Sequence, residues 1–83
     1  MHKLCMGTVA IYGNVRIVIH TKDHQPPHVH AIAPDAEAVF NLKTMQLIRS
    51  RGFDTKSVTK IRQFIEDRQD ELMEAWNEIH EED

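Results

Sequence analysis

The sequence predicts an α+β domain, in which an antiparallel meander sheet of four to five strands is followed by a long C-terminal helix packed on one face. Runs of apolar and β-branched residues up to about residue 48 indicate strands. The connections between these runs are too short for the crossovers that parallel strands require. From Thr55 onward, apolar residues recur at helical spacing. The 83 residues leave room for one core, which predicts a single domain over 1–83 with a sheet at 8–48 and a helix at 55–80.

The first two predicted strands, 8–12 and 15–21, form a hairpin. Gly13 and Asn14 lie between them, and both residue types accept the positive φ of a two-residue turn. Side chains alternate along a strand, so the second strand has an aliphatic face and a mixed face. The aliphatic face, predicted to be the core, consists of Val15, Ile17 and Ile19, and the mixed face of Arg16, Val18 and His20.

Residues 22–27 are predicted to form a loop, because Pro26 and Pro27 cannot donate ladder hydrogen bonds. His28–Ala33 reads as the third strand, a turn follows at 34–36, and 37–42 reads as the fourth strand. A tight turn at Lys43-Thr44 leads into a short fifth strand at 45–48. A connector containing Gly52 then leads to the helix.

The C-terminal segment has the apolar period of an amphipathic helix. Asp54 or Thr55 is the candidate N-cap. A bend near 67–69 would divide the segment into two helices, but neither Gly nor Pro occurs there, so one continuous helix is predicted. The apolar stripe that should cover the sheet includes Val58, Ile61, Ile65, Leu72, Trp76 and Ile79.

Histidines are concentrated around the segment Asp23-His24-Gln25-Pro26-Pro27-His28-Val29-His30, which is the predicted functional centre. His28 and His30 are two residues apart on a strand and should project from the same face. His24 precedes them in a loop that the two prolines stiffen, and Asp23 can orient an imidazole or ligate directly.

Three interpretations of this segment remain open. The first is a site for a divalent transition metal, with His24, His28 and His30 as ligands and His20 as an alternative ligand. The second is metal-free acid–base catalysis by His24, His28 and His30, with Asp23 fixing a tautomer and with Arg16 and Lys22 binding phosphate. The third is a structural clasp that holds the loop to the sheet. Glycine-rich phosphate loops, zinc cysteine pairs and a nucleophile elbow do not occur in the sequence.

Charge is divided unevenly along the chain, whose net charge is −3. Residues 1–65 contain nine Lys and Arg against four Asp and Glu, whereas residues 66–83 contain nine acids and only Arg68. The division predicts an anionic ligand near the first part. It also predicts that the acidic C-terminal end contacts a basic surface, either on a partner protein or on a second copy of the chain in a homodimer. The alternative is that this end is simply a solvated helix end. No apolar run could span a membrane, and the single Cys5 fits a reducing cytoplasm.

The segment 22–30 closely resembles the Asp-His-x-Pro-Pro-His-x-His signature of a small bacterial family, domain of unknown function 4160. The resemblance extends over nearly the whole chain, including 37–42 and the late helix at 69–76. It implies a component of a two-gene bacterial module, of the kind proposed to be toxin–antitoxin systems. The residues that match the motif are Asp23, His24, Pro26, Pro27, His28 and His30.

The leading hypothesis is therefore the toxin of a type II toxin–antitoxin module, acting on nucleic acid as a histidine-dependent nuclease. Its expected partner is a cognate small protein encoded nearby. Two alternatives belong to other classes: a non-catalytic module that binds a metal or a partner, and an antitoxin-like regulator. Catalysis predicts that turnover is lost when a single histidine is replaced and the fold is retained, whereas pure binding predicts no turnover at all.

Overall fold

The protein forms a five-stranded antiparallel sheet followed by two helices, in a computed structural model that describes residues 6–20 and 26–80. The strands lie in the sheet in the order in which they occur in the chain, so the sheet is a meander as predicted. The elements are β1 (Met6–Tyr12), β2 (Val15–His20), β3 (His28–Ala33), β4 (Ala36–Asn41), β5 (Leu47–Arg51), α1 (Thr55–Asp67) and α2 (Gln69–His80).

One face of the sheet packs against the helices. The aliphatic side chains of β2 that were predicted to be core are buried, with Ile17 and Ile19 at 0% exposure. Trp76 of α2 is 1% exposed, which confirms its predicted place in the core. Burying a large aliphatic side chain contributes about 1.5–3 kcal/mol, so this cluster supplies the main stabilisation of the fold. Its members on the strands include Val15, Ile17, Ile19, Val29, Ala31, Ala38 and Phe40, and on the helices Ile61, Ile65, Leu72 and Trp76.

The opposite face of the sheet is named here the polar face. Its side chains follow from the strand register, because directly paired residues point to the same side. One cross-strand row runs Arg16, Ile32, Glu37, Arg51, and the next runs Val18, His30, Val39, Arg49. His20 extends the alternation of β2 on the same side.

The predicted single helix is wrong, because the helical segment is divided at Arg68. Arg68 has φ −118° and ψ 20°, outside helical values, and its N–H donates to the carbonyls of Glu66 and Ile65. Its guanidinium also donates to the Phe64 carbonyl at 3.3 Å and lies 3.9 Å from the centre of the Phe64 ring. The bend lets Ile65 of α1 and Leu72 of α2 both reach the core. Within the described chain, neither helix is long and apolar enough to cross a membrane.

The fifth strand lies later than predicted. It covers Leu47–Arg51 rather than 45–48, so residues expected in the connector belong to the sheet. Asn41 explains the shift: its side-chain oxygen accepts from the N–H groups of Lys43 and Thr44 at 2.8 and 3.1 Å. Met45 then adopts a positive φ of 64° and donates its N–H to the Asn41 carbonyl at 2.8 Å. This longer turn uses the residues that would have begun the strand.

Candidate functional site

Three histidines lie together at one end of the sheet. His20 is the last residue of β2, and His28 and His30 belong to the first half of β3. The ring centres of His20 and His30 are 4.4 Å apart, and those of His28 and His30 are 5.3 Å apart, both pairs edge to face. The prediction that His28 and His30 share one side of the sheet is confirmed, and His20 joins them.

Hydrogen bonds fix the tautomer of two of these rings. His28 Nδ1 lies 2.8 Å from the carbonyl oxygen of Pro26, and His30 Nδ1 lies 3.2 Å from Glu37 Oε2. A carbonyl or an ionised carboxylate can only accept, so each Nδ1 carries a proton and donates it. In the neutral rings Nε2 is therefore the basic nitrogen, and in the protonated rings Nε2 is the donor towards a ligand. Both imidazoles are thus held in the same tautomer.

Glu37 connects the histidines to two arginines. Besides its contact with His30, its carboxylate lies 4.0 Å from Arg49 Nη2 and 3.8 Å from Arg51 Nη2. The arginine side chains are 67% and 81% exposed, so these long contacts leave both guanidinium groups accessible to solvent. Ion pairs of this kind contribute only about 0–1 kcal/mol to stability. The contacts mainly place positive charge beside the histidines.

The imidazole of His30 lies in a partly apolar setting. Its side chain is 12% exposed, and its two cross-strand partners, Val18 and Val39, are 0% and 4% exposed. Water is therefore restricted around the ring, which strengthens its interaction with Glu37. The arrangement resembles a buried acid–imidazole pair more than a surface histidine.

His28 also contacts the helical layer. Its ring centre lies 5.4 Å from that of Trp76, and its Nδ1 donates to Pro26 just before the strand. Contacts on these two sides are what the structural-clasp interpretation expects of this residue. His28 therefore has a structural role in addition to any chemical one.

The remaining predicted site residues are placed as follows. Arg16 lies on the polar face, exposed and in the same cross-strand row as Glu37. Lys22, Asp23 and His24 lie outside the described residues. Within residues 6–20 and 26–80, no group of three His, Cys, Asp or Glu side chains could hold a metal ion. The predicted ligand set depends on His24, so the metal site stays a prediction.

The sequence interpretation missed Glu37 as a partner of the histidines. The signal was present, because a two-residue turn at Pro34-Asp35 pairs Ala33 with Ala36 and so fixes the register of β3 and β4. Counting along that ladder puts Glu37 diagonally next to His30, on the same face. Arg49, which follows the fifth strand predicted at 45–48, likewise proved to lie on the polar face.

The fold and the site together define a small α+β domain with a cluster of imidazoles at one end of a meander sheet. Residues 14–77 match the family model described as Domain of unknown function (DUF4160), and the chain belongs to this family. No curated protein and no solved structure matches the chain.

Proposed function

We propose that this protein is the toxin of a bacterial type II toxin–antitoxin module, and that it cleaves RNA in the cytoplasm with the histidines of the polar face. The observation that carries the proposal is the pair His28 and His30, each with Nδ1 bonded to a fixed acceptor and with ring centres 5.3 Å apart. Adjacent imidazoles held in this way are suited to act as a general base and a general acid.

The proposed reaction is an attack of the RNA on its own backbone. Nε2 of His30 takes the proton from a ribose 2′-hydroxyl, and the oxygen forms a bond to the adjacent phosphorus. The bond from phosphorus to the 5′-oxygen breaks, and protonated His28 donates its Nε2 proton to that oxygen. The products are a 2′,3′-cyclic phosphate and a 5′-hydroxyl end. No water or metal is consumed in this step.

Glu37 has a positioning role in this proposal. Its carboxylate holds Nδ1 of His30 at 3.2 Å, which makes Nε2 the basic nitrogen of the neutral ring and stabilises the imidazolium that forms when the proton is taken. The sequence assigned a similar role to Asp23, and catalytic participation to His24. Both remain candidates from the motif, as does phosphate binding by Arg16 and Lys22.

The direct test measures cleavage of a labelled single-stranded RNA by the purified chain in the presence of a chelator. His30→Gln should lower the rate by about 10²–10⁴-fold, the usual contribution of general acid–base catalysis. Glu37→Gln should lower it less, with a changed pH profile. Glu66→Gln, which alters an exposed carboxylate on α1, is the matched control and should leave the rate unchanged. Cleavage that survives His30→Gln would rule out the mechanism.

A cellular test addresses the module. Expression of the chain should arrest the growth of bacteria, and co-expression of the small protein encoded nearby should restore growth. His30→Gln should be expressed at the same level and cause no arrest. Arrest by this variant equal to that of the wild type would separate toxicity from the histidine chemistry.

For His28, a measurement must distinguish its structural contacts from a catalytic role. His28→Gln removes the imidazole next to Trp76, so it should lower thermal stability as well as cleavage. If cleavage per folded molecule stays at the wild-type level, His28 is only a structural clasp. A chain that shows no cleavage, with or without added zinc, nickel or copper, but binds its partner tightly would favour the non-catalytic binding module instead.

A further inference from the structure

Positive charge on the polar face is arranged across the strands rather than along one of them. Arg16 belongs to β2 and Arg49 and Arg51 to β5, with Glu37 as the single acidic side chain between them among the paired positions of this face. All three arginines are exposed. Two of them already neutralise Glu37 at 3.8–4.0 Å, so the face as a whole is positive.

We infer that this face takes a single-stranded RNA that crosses the sheet between β5 and β2. Its phosphates lie on the exposed Arg51, Arg49 and Arg16, and the reacting phosphate lies at the partly exposed edge of the histidine cluster. The inference rests on the proposed function and adds to it the preference for single-stranded RNA and the path of that strand across the sheet.

The register gives the spacing of this path. Neighbouring strands are about 4.8 Å apart and successive residues on one face about 7 Å apart. Arg49 is two strands from His30 in the same row, which is about 10 Å, and Arg51 is three strands from Arg16, about 14 Å. Several consecutive phosphates of one extended strand can therefore be bound at the same time as one of them lies over the imidazoles.

A double helix fits this surface less well. The major groove of an RNA duplex is deep and narrow, and its phosphates follow a rigid helical path. The polar face is built from sheet positions, so a rigid duplex would meet only one or two of the arginines. The proposed reaction also needs the 2′-oxygen in line with the leaving 5′-oxygen, and a stacked duplex backbone does not adopt that geometry. A single strand satisfies both requirements.

Charge on α2 opposes binding of the RNA along that helix. α2 contains four acidic residues and neither Lys nor Arg, so it repels a phosphate backbone. The polar face combines exposed arginines with the imidazoles. Ile32, half-buried in the same row as Arg16 and Arg51, offers an apolar contact for a base between the charged positions.

Binding by a non-cleaving chain tests the inference. In the His30→Gln background, the affinity for a labelled single-stranded RNA and for a duplex of the same sequence is measured over a range of salt concentrations, with a chelator present. Replacing Arg16, Arg49 or Arg51 with Gln should each reduce the slope of log affinity against log salt by about 0.7, and the triple replacement by about 2. Lys60→Gln and Arg62→Gln alter exposed cations on α1 and should leave the slope unchanged.

The outcomes separate this inference from the proposed function. Duplex bound as tightly as the single strand, or a triple variant with the slope of its parent, would overturn the inference even if RNA is cleaved. Binding that prefers the single strand and depends on the three arginines supports it. If such binding occurs but the wild-type chain cleaves nothing, the proposed catalysis fails while the binding path stands.

Discussion

Glycine is required at two positions for different physical reasons, in the β1–β2 turn and in the connector after β5. Gly13 has φ +62°, and an added Cβ would meet no atom within 4 Å. Gly52 has φ +87°, and an added Cβ would lie 2.5 Å from the carbonyl oxygen of Asp35 and 2.9 Å from Cα of Ala36. Gly52 therefore lets the end of β5 approach the β3–β4 turn closely, whereas Gly13 only needs the left-handed backbone.

The two alanine substitutions should differ in cost. Gly13→Ala should lower the free energy of unfolding by about 1 kcal/mol, the penalty for a side chain at positive φ. Gly52→Ala adds a backbone collision and should lower it by more than about 2 kcal/mol. Urea unfolding followed by circular dichroism measures both. Equal losses of stability would mean that the backbone around Gly52 and Asp35 shifts to accommodate the added Cβ without a further loss of free energy.

At the scale of single residues, the sequence predicts which side chains share a face but not which of them touch. The alternation of a strand was enough to place His28 and His30 together. The contact of Glu37 with His30 depends on the register between two strands, and hence on the length of the turn at Pro34-Asp35. Periodicity within one strand contains no information about that register.

The start of α1 depends on one carboxylate. The N–H of Ser57 donates to the side chain of Asp54 at 2.8 Å, and this hydrogen bond lowers the pKa of Asp54 below its ordinary value of 3.8. The ionised form is therefore favoured by folding. Its contribution is present at pH values above the unfolded-state pKa and is lost as the pH falls through the lower folded-state pKa.

Replacing Asp54 with Asn tests this linkage, because Asn is an equally good N-cap that does not titrate. The difference in unfolding free energy between the wild type and Asp54→Asn should be constant above about pH 5. As the pH falls below 3.8, the wild type should lose stability relative to Asp54→Asn. Urea unfolding at a series of pH values measures it, and a difference that stays constant into the acid range contradicts the assignment.

At the scale of elements, the strands and their order follow from the sequence, whereas the division of the helical segment and the start of β5 do not. The break at Arg68 lacks the Gly or Pro that usually marks a helix bend. It is stabilised by contacts of the Arg68 guanidinium with Phe64 and by packing on the sheet. The late start of β5 depends on the side chain of Asn41 and on a Met with positive φ, a conformation that its residue type disfavours.

At the scale of the whole molecule, the stability of the fold depends on Trp76. It is 1% exposed among the core side chains and lies 5.4 Å from His28, so it connects the hydrophobic core to the histidine cluster. Trp76→Ala should lower the free energy of unfolding by about 3–5 kcal/mol, a large share of the 5–15 kcal/mol typical of a domain. Trp76→Phe should cost less. Thermal and urea unfolding measure both, and a loss below about 1 kcal/mol for the alanine variant would exclude this central role.

The polar face carries arginines and α2 carries carboxylates, and this separation of charge affects how the protein behaves during purification. With a sequence isoelectric point near 6.0, the chain would be expected to bind an anion exchanger at neutral pH and to pass through a cation exchanger. The molecule is instead electrically polarised, with arginines on one side and the carboxylates of α2 on the other. At low ionic strength it should be retained by both resins, presenting opposite sides to each. Arg16, Arg49 and Arg51 replaced together by Gln should abolish retention on the cation exchanger alone.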